Sequence, residues 1–346
     1  MKRNLLLSTL LVIIIMSCQT YEVMHYDVLR PASYSVPPEI KSLVIVDNAY
    51  PYNADNAHKA IVVGDEVRLD TVRVDSFSTI VIDQLKEEML IRNFFDTVYV
   101  DSTKYNTIES GKQYQALQQS QIINICNRYN ADAVLSLAGI AYATDIEVHN
   151  MGYEYYSTMD LRGLTFWRMF DGYSTEALYS NIHRDTLYWD GVGDEVNASV
   201  STFPAIKEAV VELGHYLGYT FANELVPYWE PVKRRIYIAG NQHFVNAAEW
   251  LNKGDRYEAE KIWGFIYEHG TIKEKGRAAS NIALSMEARG ELKLAMEWAY
   301  KSYDAFSAQG FLGNGDATKV AGQLYTDLAR RYRENNLLDE QLGGSE

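Results

Sequence analysis

Apolar and polar positions change period along the chain, and the changes divide it into elements. Leu5 to Met16 is an apolar run broken only by Ser8 and Thr9 and preceded by Lys2 and Arg3. A positive start and about a dozen apolar residues make a secretory signal peptide over residues 1–17, shorter than the ~20 residues a spanning helix needs. Ser42 to Asp47 is a short β-branched run after Pro37 and Pro38, which suits a buried strand. Residues 60–74 alternate around Gly64-Asp65 as a small hairpin would. From Phe77, apolar residues recur at Val81, Leu85 and Met89 with charges between them, predicting a helix that Asp75 or Ser76 can cap. Thr97 to Val100 reads as a strand, Tyr114 to Tyr129 as a helix, and Ala133 to Ala141 as a further strand.

The pattern then shifts to two aromatic-rich runs, Met159 to Phe170 and Ala177 to Trp189, joined around Asp171-Gly172, which predict an antiparallel pair. Ile206, Val210, Leu213, Leu217, Phe221 and Leu225 share one helical face, and Pro227 ends that helix. The segment from Cys18 to residue 36 has no helical period, and with Pro37 and Pro38 at its end and Pro31 within it, it reads as an extended tether. The expected architecture is a tether over 18–36, an α/β sandwich domain with a mixed sheet over 37–230, and an all-α helical repeat domain over 236–342.

The repeat expectation rests on self-similarity. Gly254-Asp-Arg-Tyr-Glu-Ala259 is echoed by Gly290-Glu-Leu-Lys-Leu-Ala295, an offset of 36 residues at both ends. This resembles the tetratricopeptide repeat, whose unit is roughly 34 residues: the glycine turns between two helices and the small residue lets the second pack closely. Gly254, Ala259, Gly290 and Ala295 are thus the expected repeat-packing residues. Phe244 to Lys253 with Arg256 to His269, and Lys275 to Arg289 with Leu292 to Ala308, are the expected helix pairs. Thr318 to Arg333 and Leu337 to Glu340 would form a third, degenerate pair after the glycine-rich Gly310 to Gly315. An ordinary helical bundle remains the alternative. Stacked pairs present a concave surface lined by first helices, which makes Asn246, Glu249, Trp250, Lys253, Asn281, Ser285 and Arg289 the candidate partner contacts.

Composition narrows the functional classes. A formal net charge of −14 offers no basic surface for phosphates, so neither nucleic acid nor an anionic membrane surface is an expected partner of the folded body. The run Ile15-Met16-Ser17-Cys18 resembles the lipobox of bacterial lipoproteins, which implies lipidation of Cys18 and a membrane anchor. With Cys18 acylated, Cys126 has no disulfide partner, and its apolar neighbours suggest a buried, unreactive thiol. The order of elements after Pro37-Pro38 resembles the domains of curli-secretion lipoproteins and of lipoprotein activators of penicillin-binding proteins. The whole chain resembles Bacteroidota lipoproteins with a C-terminal tetratricopeptide region. Surface-exported lipoproteins of that group carry an acidic signal just after the cysteine, which Gln19-Thr20-Tyr21-Glu22-Val23 does not match, so the periplasmic face of the outer membrane is expected, and no functional residue is carried over.

No cofactor and no metal site are expected: the seven histidines show no ligand spacing, and His183 and His215 read as structural. No Gly-x-Ser-x-Gly or complete phosphate loop occurs. The expected role is therefore a non-catalytic adaptor that binds envelope proteins through its repeats. An envelope hydrolase acting on peptidoglycan or glycan, with Asp47, Asp160 and Asp190 as acids, is the alternative. Oligomeric state is not legible.

Overall fold

The computed structural model describes residues 20–50, 52, 57–62, 66–105, 116–308 and 311–343. The expected signal peptide, Cys18, the Gly64-Asp65 turn and Tyr114 lie outside them. The chain forms two compact units, one of residues 32–228 and one that joins the N-terminal segment through Pro31 to residues 229–346. The described chain opens on strand β1 (Tyr21–Arg30), which belongs to the second of these.

In the sheet unit, β2 (Ser42–Asp47), β3 (His58–Val62), β4 (Glu66–Asp70), β5 (Thr97–Asp101), β6 (Ala133–Asn150), β7 (Tyr155–Asp171) and β8 (Ala177–Gly193) build a seven-stranded sheet. Its helices are α1 (Phe77–Arg92), α2 (Gln119–Tyr129), the short α3 (Val196–Val200) and α4 (Ile206–Leu225). The sheet is mixed: β2 runs parallel to β5 and β6, and β3 parallel to β6, while β3–β4, β6–β7 and β7–β8 are antiparallel. Strand β2 shows why the β-branched run does not alternate. Leu43 and Ile45 join the core under α1 and α4, whereas Val44 and Val46 pack with Ile122, Ile125 and Cys126 of α2, so both faces are covered.

Helix α4 buries the predicted stripe against α1, and Trp167 stacks on Phe221 with centroids 4.6 Å apart. The two helices meet at Gly218, where an added Cβ would lie 2.5 Å from the Val81 carbonyl oxygen. Ser76 holds the N-cap position of α1 but makes no capping hydrogen bond through its side chain. Cys126 is buried, and burial together with Asp171 and Asp132 pushes its thiol up to about 11. His183 bonds Thr220 at 2.8 Å, and burial lowers its pKa despite Asp185 and Glu224 nearby. The β6–β7–β8 meander is longer than expected, because the strands continue past the layer that the helices cover and leave alternate residues of β8 exposed.

The helical unit comprises β1, β9 (Tyr228–Tyr237), α5 (Gln242–Asn252), α6 (Arg256–His269), α7 (Ile272–Ala288), α8 (Leu292–Ser307) and α9 (Phe311–Gln341). Phe244, Ala259, Trp263, Ala278, Ala295, Ala299, Phe306 and Leu328 form its core. Gly254 and Gly290 close the α5–α6 and α7–α8 turns at φ +81° and +77°, a region that a Cβ disfavours. Ala259 and Ala295, five residues on, are fully buried where the paired helices touch. Asn241 caps α5 by accepting from the His243 and Phe244 amides, and Thr271 with Glu274 forms a capping box on α7.

Two expectations fail here. The segment expected as a free tether contains β1, which pairs with β9 in a two-stranded sheet. Thr20 accepts from the amides of Ile238 and Ala239, while Arg30 at the far end bonds Glu230, so the strands run antiparallel. The expected third helix pair is instead one helix, α9, of 31 residues. Gly313 and Gly315 do not break this helix, which buries Ala321, Leu324 and Leu328 on one face.

Candidate functional site

The helical unit contains a cavity of about 420 Å³, within the size range of ligand and peptide side-chain sites. Met24, Tyr26 and Val28 of β1 form one wall and Leu251, Arg256 and Trp263 of α5 and α6 the other. Asn281, Leu284, Ser285, Glu287 and Ala288 of α7 make the floor, and Arg331 of α9 closes one end. Helical spacing puts 281, 284, 285 and 288 on one face of α7, which is why a single helix supplies the floor. Trp263 is only 2% exposed, and its indole N–H has no hydrogen-bond acceptor.

Beneath this cavity lies a charge network that fixes the two strands on the helices. The Glu287 carboxylate accepts from Tyr26 Oη at 2.6 Å, from Arg234 Nε and Nη2 at 2.9 Å each, and from Arg331. Asp327 accepts from Arg30 at 2.5 Å, from Arg330 at 2.8 Å and from Arg234. Arg30 also reaches Glu230 at 2.6 Å and Glu334 at 3.2 Å. Four guanidinium groups thus meet four carboxylates, with Arg30, Arg234 and Glu287 the most deeply buried of them. Burial alone would raise the Glu287 and Asp327 carboxyls, but the arginine hydrogen bonds and charges outweigh it and hold both below their usual values. Burial, with Glu287 beside it, raises the Tyr26 hydroxyl.

Depressed carboxyl pKa values in the fold mean that the unfolded chain takes up more protons in acid. The stability they contribute is complete above the ordinary values of 4.5 for Glu287 and 3.8 for Asp327, and is lost as pH falls through the folded values. The helical unit should therefore unfold at progressively lower urea concentration as pH is taken from about 5 to 3. A flat urea midpoint across that window would show that these carboxylates contribute nothing to folding.

The predicted partner contacts separate into two groups. Asn281 and Ser285 line the cavity, yet Asn281 is bound to the chain's own backbone: Tyr237 N–H donates to Oδ1 at 2.8 Å and Nδ2 donates to Tyr237 O at 2.7 Å. Ser285 donates to Glu260, which Arg289 also clasps at 2.7 and 2.8 Å. Asn246, Glu249, Trp250 and Lys253 are exposed on α5, with the Lys253 ammonium 4.6 Å from the Trp250 ring, and α5 contributes Leu251 to the cavity instead. The expectation that one groove gathers all seven is therefore corrected: β1 and β9 lie where an incoming peptide was expected. Met24, Tyr26, Arg30, Arg234, Glu287 and Asp327 were not singled out. Each belongs to a strand or helix whose partner lies as far as 304 positions away, and no local spacing marks them.

The rival acids are only partly assembled. Asp47 ends β2, accepts from Ser78 at 2.7 Å and pairs with Lys104. Asp160 faces Tyr188 across β7–β8, and Thr158 faces Asp190, so Asp160 and Asp190 are diagonal neighbours on one sheet face. Their charges, after the Tyr156 hydrogen bond and burial, help to push the Tyr188 hydroxyl up to about 12. Among the described residues no group of three or more His, Cys, Asp or Glu could hold a metal ion, and no helix is long and apolar enough to cross a membrane.

A family model described as Domain of unknown function (DUF8603) matches residues 40–237, more than half of the chain. The chain belongs to the DUF8603 family. The DUF8603 segment covers the sheet unit and runs on through β9, and a second model, Domain of unknown function (DUF6340), matches residues 245–335 across the helices. No curated protein matches this DUF8603 member in sequence. Among solved structures it is similar to the PelC dodecamer of Paraburkholderia phytofirmans, at 9% identity and TM-score 0.27, over 59% of this chain and 99% of that one. A neuraminyllactose-binding hemagglutinin homolog from Helicobacter pylori matches at 11% identity and TM-score 0.28, over 54% of this chain and 86% of that one. A DUF330 protein of Xanthomonas campestris matches at 10% identity and TM-score 0.22, over 57% of this chain and 94% of that one. Scores at this level transfer neither a fold nor a role.

Proposed function

We propose that the protein is a lipid-anchored adaptor of the cell envelope, held at the outer membrane through Cys18 on the periplasmic side, that captures an extended segment of a partner protein in the helical unit. The observation that carries the reading is the cavity beside β1. Among the described residues β1 forms a sheet with β9 alone, so an extended peptide can add at its other edge as a third strand. Its side chains would enter between Met24, Leu251, Leu284 and Trp263. The unpaired indole N–H of Trp263 costs about 1–3 kcal/mol, which a carbonyl brought within reach by a small side-chain shift would relieve. Lipobox-like residues Ile15 to Cys18 support the anchor, and the repeating helix pairs support the tetratricopeptide-like, Bacteroidota-lipoprotein reading.

The non-catalytic reading is favoured because Asp160 and Asp190 lie on a sheet face rather than in a cleft, and Asp47 is tied to Ser78 and Lys104 on a different strand. Ala288 is exposed at the cavity, so Ala288→Trp fills it without disturbing the core. In-cell crosslinking with mass spectrometry should show the dominant envelope partner lost from Ala288→Trp while the protein stays folded by circular dichroism. An unchanged partner list from a folded variant would remove the cavity from partner binding.

A further inference from the structure

Thr20 is the first described residue, and it is fixed rather than free. Its carbonyl accepts from Ile238 and Ala239, its hydroxyl accepts from Arg277 at 3.3 Å, and Arg277 also bonds the Ala239 carbonyl at 3.4 Å. Cys18 stands two residues upstream, and two extended residues reach at most about 7 Å. An acyl-bearing cysteine sits at the headgroup level, so whatever surrounds Thr20 must sit there too. The end of the helical unit around Thr20 is therefore set against the bilayer by covalent geometry alone.

That end has the surface such a position demands. The first turn of α7 carries Ile272, 51% exposed, and Lys273, which makes no ion pair among the described residues. Phe265, 48% exposed in the last turns of α6, stacks on His269 at 4.5 Å and lies 5.2 Å from His243 in the first turn of α5. Asn241, which caps α5, donates to Glu274 of α7 at 2.5 Å, so the three helix ends form one face. Glu274 is engaged by Asn241 and Thr271 and Asp316 by Arg235 at 2.7 Å, while Glu268, 73% exposed, has His269 beside it at 4.0 Å.

We propose that this face, with Phe265, Ile272 and Lys273 at its tip, docks on the phospholipid surface that carries the anchor. Apolar side chains flanked by a lysine suit the interface, where the ring and the branched chain leave water while the ammonium stays among phosphates. The docking rests on the lipidation of Cys18. It fixes the helical unit on the membrane rather than at the end of a flexible leash.

The full-length protein, with buried Cys126 left in place, is labelled with an environment-sensitive fluorophore at Ile272→Cys or at Leu294→Cys. Leu294 is exposed in the first turn of α8, whose last turns lie beside Gly276 of α7, so it sits roughly 20 Å from the docked end. Each protein is purified with its lipid, the acyl mass is verified by mass spectrometry, and it is reconstituted into phosphatidylethanolamine–phosphatidylglycerol vesicles containing brominated lipid. The label at Ile272 should lose most of its fluorescence and the label at Leu294 little. Equal loss at both sites, or none at Ile272 in protein of verified acyl mass, overturns the docking while leaving the anchor intact. Absence of the acyl mass overturns the anchor and the docking with it.

Discussion

Glu287→Ala should destabilise the helical unit by about 3–5 kcal/mol, the cost of removing one partner from a buried ion pair. The side chain of Glu287 is 1% exposed and that of Arg234 is 7%, so the guanidinium depends on this carboxylate for its neutralisation. The substitution leaves Arg234 and Arg331 facing each other across an empty site and removes the acceptor of the Tyr26 hydroxyl. Glu287→Gln keeps the shape and an acceptor, and should cost less. Urea denaturation followed by circular dichroism reads both. A shift of under about 1 kcal/mol for Glu287→Ala would place its contribution at the level of a surface pair.

Asn281→Ala should release β9 from the helices. The asparagine amide satisfies both the N–H and the C=O of Tyr237, and each backbone group left buried without a partner costs about 1–3 kcal/mol. Hydrogen exchange read by mass spectrometry should show the peptides of β1 and β9 losing protection while those of α1 and α4 keep theirs. Unchanged protection in β9 would mean that the charge network alone holds the strand down.

The sheet unit was largely legible because its signals are local. The run Leu43 to Val46, the stripe Val81–Leu85–Met89 and the face from Ile206 to Leu225 each carry a period that a single element's burial imposes. The helix pairs were legible for a similar reason, since Gly254 and Gly290 mark turns and Ala259 and Ala295 mark close contacts. The strands β1 and β9 were not. Glu22, His25, Asp27 and Arg30 interrupt the first, which therefore reads as a tether, and Glu230, Pro231, Lys233, Arg234 and Arg235 interrupt the second, which shows no strand pattern. Arg30 and Arg234 are buried only because Glu287 and Asp327 arrive to neutralise them, and nothing nearby in sequence announces those partners.

The same oversight displaced the candidate site. Once β1 and β9 are laid over α7, Asn281 turns from a recruiting residue into a structural clamp, and the space open to a partner moves beside β1. Sequence reasoning identified the helix that floors the cavity but not the strand that walls it. Asn246, Glu249, Trp250 and Lys253 share a helical face, which the spacing gave correctly, but the direction of that face depends on packing that spacing does not encode.

Because β1 and β9 pair while residues 32–228 lie between them in sequence, the helical unit is interrupted by the whole of the sheet unit. This imposes an order of events during biosynthesis. β1 comes early, with an arginine destined for burial, and must wait through roughly 200 further residues before its partner strand is at hand. The sheet unit has all of its strands long before then and is free to fold as a loop within an unfinished neighbour. Arg30 meets Glu230 as soon as β9 pairs with β1, and α9 then adds Asp327 and Glu334, so this helix acts as the latch that completes the neutralisation of the β1 arginine.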